Sequence, residues 1–304
     1  MKARAVFLLL CCIWGSTWLF IKLGLRDLPP VGFAAVRFVL ASAILFAIVA
    51  ARRSRVPRTA REWTLIAATG VLTFTLNYGL VFWGEQHISS GLTALLQATI
   101  PVFGMLFAHA HLPGERLSAR KMAGVLLGVG GVGVIFSNQM SAEGSLAAWG
   151  SVAVVAGAVC MAYSNVLIKA RAAKIDPPML AAGQMACGLV PLLCFGLVSE
   201  GNPLKFHWTA LAAVSLLYLT LVGSVAAFML YYWLVRHMDV TKTMLIALVT
   251  PLAAVLLGMA ALGERLSWRT LAGGALIMSG IGLVVLRRNR RVGKNTEVAA
   301  VAEG

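Results

Sequence analysis

Charge is scarce in this chain of 304 residues: only 12% are charged and 60% are hydrophobic. A soluble globular chain carries about twice that share of charge. With a mean hydropathy of +0.85 and apolar runs of some twenty residues, long enough to cross a bilayer core of about 30 Å as helix, the chain reads as a polytopic membrane protein. Acids are rarer still. All eleven Asp and Glu fall in loops or at the ends of apolar spans, with Glu85 the nearest to the membrane. No intramembrane carboxylate is therefore available to hold a lipophilic cation as counter-ion. No HExxH and no paired intramembrane carboxylates offer the machinery of a membrane enzyme. The five cysteines (Cys11, Cys12, Cys160, Cys187 and Cys194) are odd in number, form no CxxC pair and lie in apolar spans. Neither a zinc site nor a disulfide framework follows from them. No cofactor and no metal are expected.

Against these shortages stands a repeat. Shifted by 150 residues, Leu80, Trp83, His87, Thr93, Leu95 and Pro101 fall on Leu230, Trp233, His237, Thr243, Leu245 and Pro251. Shifted by 149, Gly114-Glu115-Arg116-Leu117-Ser118 falls on Gly263-Glu264-Arg265-Leu266-Ser267, and 11 of the 20 positions from Gly114 to Gly133 are identical. A period of half the chain means a duplicated unit, not a short-repeat solenoid.

Ten apolar segments can be marked: 5–24, 31–51, 63–82, 91–109, 119–137, 147–168, 177–198, 208–232, 243–262 and 270–286. Pro29-Pro30, Pro177-Pro178 and the arginines around Pro57 punctuate them, since proline lacks the amide and restrains its predecessor. The net charge of +15 would suggest a nucleic-acid partner in a soluble protein. Here the basic residues sit between spans, so none is expected. With the N-terminus cytoplasmic, twenty Lys and Arg fall on the inner side and five on the outer, with Arg37 inside a span. That asymmetry predicts both termini inside. Each half holds five spans, so the second half must enter the membrane from the opposite face. Inverted duplications of this kind belong to transporters, with the substrate near the midplane between the halves. The fold expected is thus an all-α integral membrane protein, ten transmembrane helices in two inverted five-helix repeats (1–137 and 147–286), with N-in/C-in topology. The polar, Ala-rich segment 287–304 is expected to be a disordered cytoplasmic tail.

Several marks resemble the EamA-type branch of the drug/metabolite transporter superfamily. They are Trp14-Gly15-Ser16 in the first span, Arg37-Phe38 in the second, and Pro101 and Pro251 in the fourth and ninth, each followed by Gly-Glu-Arg-Leu. The resemblance covers roughly residues 5 to 286. It implies ten helices in two inverted halves, and transport of a small metabolite in the bacterial inner (plasma) membrane. Asn77-Tyr78 and Ala227-Phe228 stand where that family often has Ala-Tyr.

Polar side chains in hydrocarbon must find a partner or a water-filled cavity. The candidates for contact with a substrate are Trp14, Ser16, Arg37, Asn77, Tyr78, Gln97, Tyr163, Asn165 and Gln184. Arg37 is the one formal charge well inside a span. It either snorkels to the surface or holds a substrate carboxylate, whose geometry a guanidinium matches. Ser16, Arg37, Tyr78 and Gln97 are placed toward the outer halves of their helices, and Ser164 and Gln184 toward the inner halves. The expected activity is secondary transport by alternating access, with amino acids or their derivatives as the first class of substrate and export favoured over import. Other amphipathic metabolites or drugs are the alternative cargo. A channel or a receptor is the alternative class, and the polar groups are too sparse for a continuous aqueous path. The expected partners are a small-molecule substrate and the lipid bilayer, and a homodimer is compatible with the sequence.

Three apparent motifs are set aside. Gly128-Val129-Gly130-Gly131-Val132-Gly133 reads GxGxxG inside an apolar span, where close helix approach is the simpler role. Ser118-Ala119-Arg120-Lys121 reads SxxK without its companion motifs. The repeated Gly-Glu-Arg-Leu is expected to be structural.

Overall fold

The computed structural model describes residues 3–112, 118–142, 145–172, 175–237 and 246–285. The first Gly-Glu-Arg-Leu and the segment beyond 286 lie outside them. Among the described residues the secondary structure is helical throughout, without strands.

Among the described residues the α-helices are α1 (Ala3–Gly24), α2 (Pro30–Ala51), α3 (Ala60–Gly70), α4 (Tyr78–His87), α5 (Ser90–Gln97), α6 (Ile100–His111), α7 (Ala119–Ala142), α8 (Ser145–Arg171), α9 (Pro177–Ser199), α10 (Ala210–Thr220), α11 (Ala227–His237), α12 (Ile246–Leu262) and α13 (Trp268–Val285). Seven helical runs among the described residues are long and apolar enough to cross a membrane, and Val249–Leu262 is a shorter apolar helix. Their exteriors agree with that role. Leu126 is 65% exposed, Trp149 63% and Val198 89%, a surface that suits hydrocarbon and not water.

Helix starts follow the sequence. Pro30 and Pro177 occupy first-turn positions, where the missing amide costs nothing. Thr59 and Glu62 form a capping box on α3, and Ser89 and Thr209 accept from the amides of Leu92 and Ala212. Each satisfies a donor the helix cannot.

Two departures from the expected segments matter. The fourth apolar segment is not one helix. Proline 101 has no amide to offer the Gln97 carbonyl, and the chain turns at Ala98–Thr99 between α5 and α6. Thr99 Oγ1 donates to the Leu96 carbonyl at 2.6 Å and eases the break. Its copy, Pro251, stays inside α12 without interrupting it. The third and eighth segments each contain a stretch of π-helix, π1 at Val71–Asn77 joining α3 to α4 and π2 at Leu221–Ala226 joining α10 to α11. Both begin at positions 150 residues apart, so the duplication is written in backbone geometry as well as in sequence. Such wide turns occur mostly as short inserts near functional sites.

Small residues set the packing. α7 and α13 run antiparallel: a methyl on Gly131 would strike the Gly273 carbonyl, and one on Gly280 the Gly124 carbonyl. α3–π1–α4 runs antiparallel to α8, with Asn77 against Gly157 and Gly84 against Gly150. The start of α2 lies beside Gly196 of α9, and Glu200 at the end of α9 accepts from the amides of Val31 and Gly32 at 3.0 and 2.6 Å. Backbones at such distances gain dispersion contacts that lipid cannot supply. The largest core cluster, with Phe33, Phe38, Phe74 and Phe82, fills the space between α2, α4, α9 and α10.

Candidate functional site

From α2, Arg37 reaches π2 and the start of α4. Its side chain is 2% exposed. The Nε donates to Ser224 Oγ of π2 at 3.1 Å. The guanidinium carbon stands 5.3 Å from the ring centroids of both Phe38 and Tyr78. Nη1 has no hydrogen-bond partner, and no carboxylate forms an ion pair with this group among the described residues. The snorkelling alternative is thereby answered: Arg37 points inward and is shut from solvent. A cation over two aromatic faces gains about 1–2 kcal/mol per good contact when desolvated, far short of its hydration. One donor nitrogen, with two N–H groups, is left for a ligand of opposite charge.

Aromatic rings surround it. Phe38, Phe74 and Tyr78 pack within 4.9 to 5.7 Å of one another. Phe228 of α11 joins them at 6.3 Å from Phe74. It also stands 6.3 Å from Trp14 of α1, which in turn contacts Tyr231 at 5.4 Å. Two residues along α1, Ser16 Oγ shares a 2.6 Å hydrogen bond with the Tyr218 hydroxyl and donates to the Ile13 carbonyl. Phe20 stacks on Tyr218 at 3.9 Å. Thr17 Oγ1 donates to the Trp14 carbonyl, and its methyl faces Gly223 beside the Arg37 guanidinium. The result is an aromatic chamber that is closed in this conformation, its rings packed on one another and on a single cation.

Of the nine residues singled out from sequence, Trp14, Ser16, Arg37 and Tyr78 are brought together here. The others go elsewhere. Gln97 donates to the Val154 carbonyl at 2.9 Å, and Gln184 to Thr69 Oγ1 at 2.8 Å. Together with Thr73 to Ser164 at 2.8 Å, these bonds hold α3, π1 and α5 against α8 and α9. Asn77 is buried against α8 with Oδ1 unpartnered. Tyr163 packs edge-on to Phe107 and His111, away from the chamber. Asn165 is exposed on the outside of α8.

Ser224, Tyr218 and Phe228 complete the chamber and were not singled out as site residues. Ser224 carries the usual ambiguity of a hydroxyl in an apolar helix, which most often bonds its own backbone. Only π2 turns it toward Arg37. Phe228 is the repeat partner of Tyr78 at the 150-residue offset, which is the signal that could have found it.

Relatives place this arrangement in context. The chain is 27% identical to the Bacillus subtilis (strain 168) protein named uncharacterized transporter YoaV, over 92% of this chain and 95% of the relative. It is 30% identical to the Escherichia coli (strain K12) uncharacterized inner membrane transporter YedA, over 84% and 81%. It is also 30% identical to a probable terminal-alkyne amino-acid exporter of Streptantibioticus cattleyicolor, over 98% and 97%. A solved crystal structure covers 100% of this chain and 99% of its own at a TM-score of 0.65 and 20% identity, a likeness of fold alone. Residues 1–137 and 148–286 each match the EamA-like transporter family. The chain is a membrane transporter of the EamA-like transporter family.

Proposed function

We propose that this protein moves a small metabolite bearing a carboxylate, amino acids and their derivatives first, outward across the bacterial inner membrane. The observation that carries the reading is the Arg37 guanidinium, buried in an aromatic chamber with Nη1 unpartnered. A carboxylate could accept from it without displacing the bond to Ser224. The rings of Tyr78, Phe228 and Trp14 would cover the apolar part of the solute. A second support is the relative named a probable amino-acid exporter, 30% identical over nearly the whole chain.

Transport would proceed by alternating access between two inverted halves of five helices, ten in all, with both termini cytoplasmic. Three observations support this geometry: the repeat in sequence, the π segments in register, and the antiparallel packing of α7 on its repeat partner α13. In the conformation described, Arg37 is occluded, so the chamber would have to open toward each side in turn. Rocking of one bundle on the other would achieve that.

The test is efflux from proteoliposomes loaded with a panel of labelled amino acids. Saturable efflux by the parent chain, lost in Arg37→Ala protein that inserts normally, is expected. Failure of every amino acid to move would remove the substrate class. A second measurement addresses topology. Thiol labelling of Arg58→Cys and Leu204→Cys in intact cells should find the first protected and the second accessible, and the reverse would overturn the proposed orientation.

A further inference from the structure

Away from the chamber, the ends of several helices meet. Lys22, in the last turn of α1, extends its ammonium to the carbonyls of Glu85 and Ile88, at 2.5 and 2.6 Å. These carbonyls close α4, where a cation is favoured by the helix dipole. Opposite, Glu264 from the α12–α13 turn accepts from the Ser90 amide at 2.9 Å, the Ser90 hydroxyl at 2.9 Å and the Gly91 amide at 3.3 Å. A cavity of about 380 Å³ lies here, lined by Lys22, Leu25, Arg26, Gln86, Leu262 and Glu264. The α1 end is thus clasped to the α4–α5 turn beside a space large enough for water.

Within this clasp the Glu85 side chain is completely buried, and neither carboxyl oxygen has a hydrogen-bond partner. An ionised carboxylate cannot be left so in a low-dielectric interior. The charged groups around it are Lys22 from α1, bonded to the Glu85 backbone carbonyl, and Glu264 from the α12–α13 turn, bonded to Ser90, with Arg26 on the wall of the cavity. His87 lies against the Trp83 ring at 4.8 Å. α5 offers Ser90, already engaged with Glu264. α8 and α2 meet this part of α4 with Gly150, Val154 and Phe33, none of them charged. Lys22 is therefore the one cation able to compensate an ionised Glu85 among the described residues, and its ammonium is committed to the two carbonyls. The observed arrangement suits a neutral, protonated Glu85.

We propose that Glu85 is a proton-binding site whose occupancy decides whether Lys22 clasps α1 to the α4–α5 turn. With the proton on a carboxyl oxygen, Lys22 serves the carbonyls and this end is closed. When the proton leaves, the carboxylate draws Lys22 off the two carbonyls onto its own oxygens, so α1 stays tied to α4 through the Glu85 side chain alone and the Ile88 carbonyl of the α4–α5 turn is freed. Two ligands then compete for one ammonium, and the proton decides between them. That this end is the extracellular one, and that the clasp gates transport, rests on the function proposed above; the titration itself does not.

The experiment reads the clasp directly. A Leu25→Cys substitution is placed in a background with the five native cysteines replaced, and the purified full chain in detergent is labelled with a hydrophilic maleimide across acidic to alkaline buffers. Rates are normalised to Leu204→Cys, which is 87% exposed and corrects for thiol ionisation. The normalised rate should rise about tenfold from acidic to alkaline buffer, as the clasped population falls. Glu85→Gln, which mimics the protonated carboxyl, should stay slow throughout. Lys22→Gln should lose the pH response because no ammonium remains to be redirected, and it decides the matter if Glu85→Gln does not fold. A parent rate flat with pH, or a response retained in either variant, overturns the proposal. Solute movement is not measured, so this result and the efflux result can fail independently.

Discussion

Arg37 of α2 and Ser224 of π2 are joined by a 3.1 Å hydrogen bond across 187 residues of chain. The bond links the two repeats at π2, where the backbone of the second repeat is wound wide. It also leaves the far side of the guanidinium without a partner.

Replacing Arg37 by Lys should therefore not preserve function. An ammonium has no planar fork, so it cannot hold Ser224 and a carboxylate in the same geometry. Loss of one charged hydrogen bond is worth about 1.5–3 kcal/mol, and efflux by Arg37→Lys should fall about tenfold or more at equal membrane content. Ser224→Ala should cost less, because it removes the support and not the charge. Initial rates at subsaturating solute, measured side by side, check the order.

Gln184 and Ser164 should act on stability and not on solute affinity. Both are spent on helix-to-helix bonds, Gln184 to Thr69 and Ser164 to the Thr69 carbonyl at 3.2 Å. Bonds of this kind within a membrane average about 0.6 kcal/mol. Gln184→Ala and Ser164→Ala should lower the unfolding midpoint slightly in detergent while leaving the half-saturating solute concentration unchanged. A raised half-saturation with an unchanged midpoint would return Gln184 to the site, or add Ser164 to it.

The seam between α7 and α13 should resist larger residues. Gly280→Val would drive methyl groups into the Gly124 carbonyl and Gly128 amide, where no flexible side chain can give way. Overpacking of a tight core costs about 1–3 kcal/mol. Thermal unfolding followed by tryptophan fluorescence should show a clear drop. The same substitution at Gly130, where a methyl meets nothing, should be tolerated.

Glu264→Ala should uncap α5. Three donors, the amides of Ser90 and Gly91 and the Ser90 hydroxyl, lose their acceptor. Charged hydrogen bonds of this type are worth about 1.5–3 kcal/mol, and water entering the cavity should recover part of that. Gly258→Ala should give a related loss, since its methyl would occupy the position of the Glu264 carboxylate. Denaturation in mixed micelles compares the two.

The sequence by itself determined much of the architecture. Apolar runs of membrane length, prolines at their starts and the offset of about 150 residues follow from the needs of a backbone in hydrocarbon, and these leave a periodic trace in residue type. Arg37 was legible for the same reason, because a charge in an apolar span stands out. Tertiary structure alone decided which polar groups meet. Gln97, Gln184 and Asn165 look alike in a linear reading, yet two tie helices together and one faces outward, because helix rotation is set by packing partners distant in sequence. The π segments carry no composition of their own, and they turn Ser224 toward Arg37. Glu85 reads as a span-end acid, and only the convergence of α1, α4, α5 and the α12–α13 turn buries it beside Lys22.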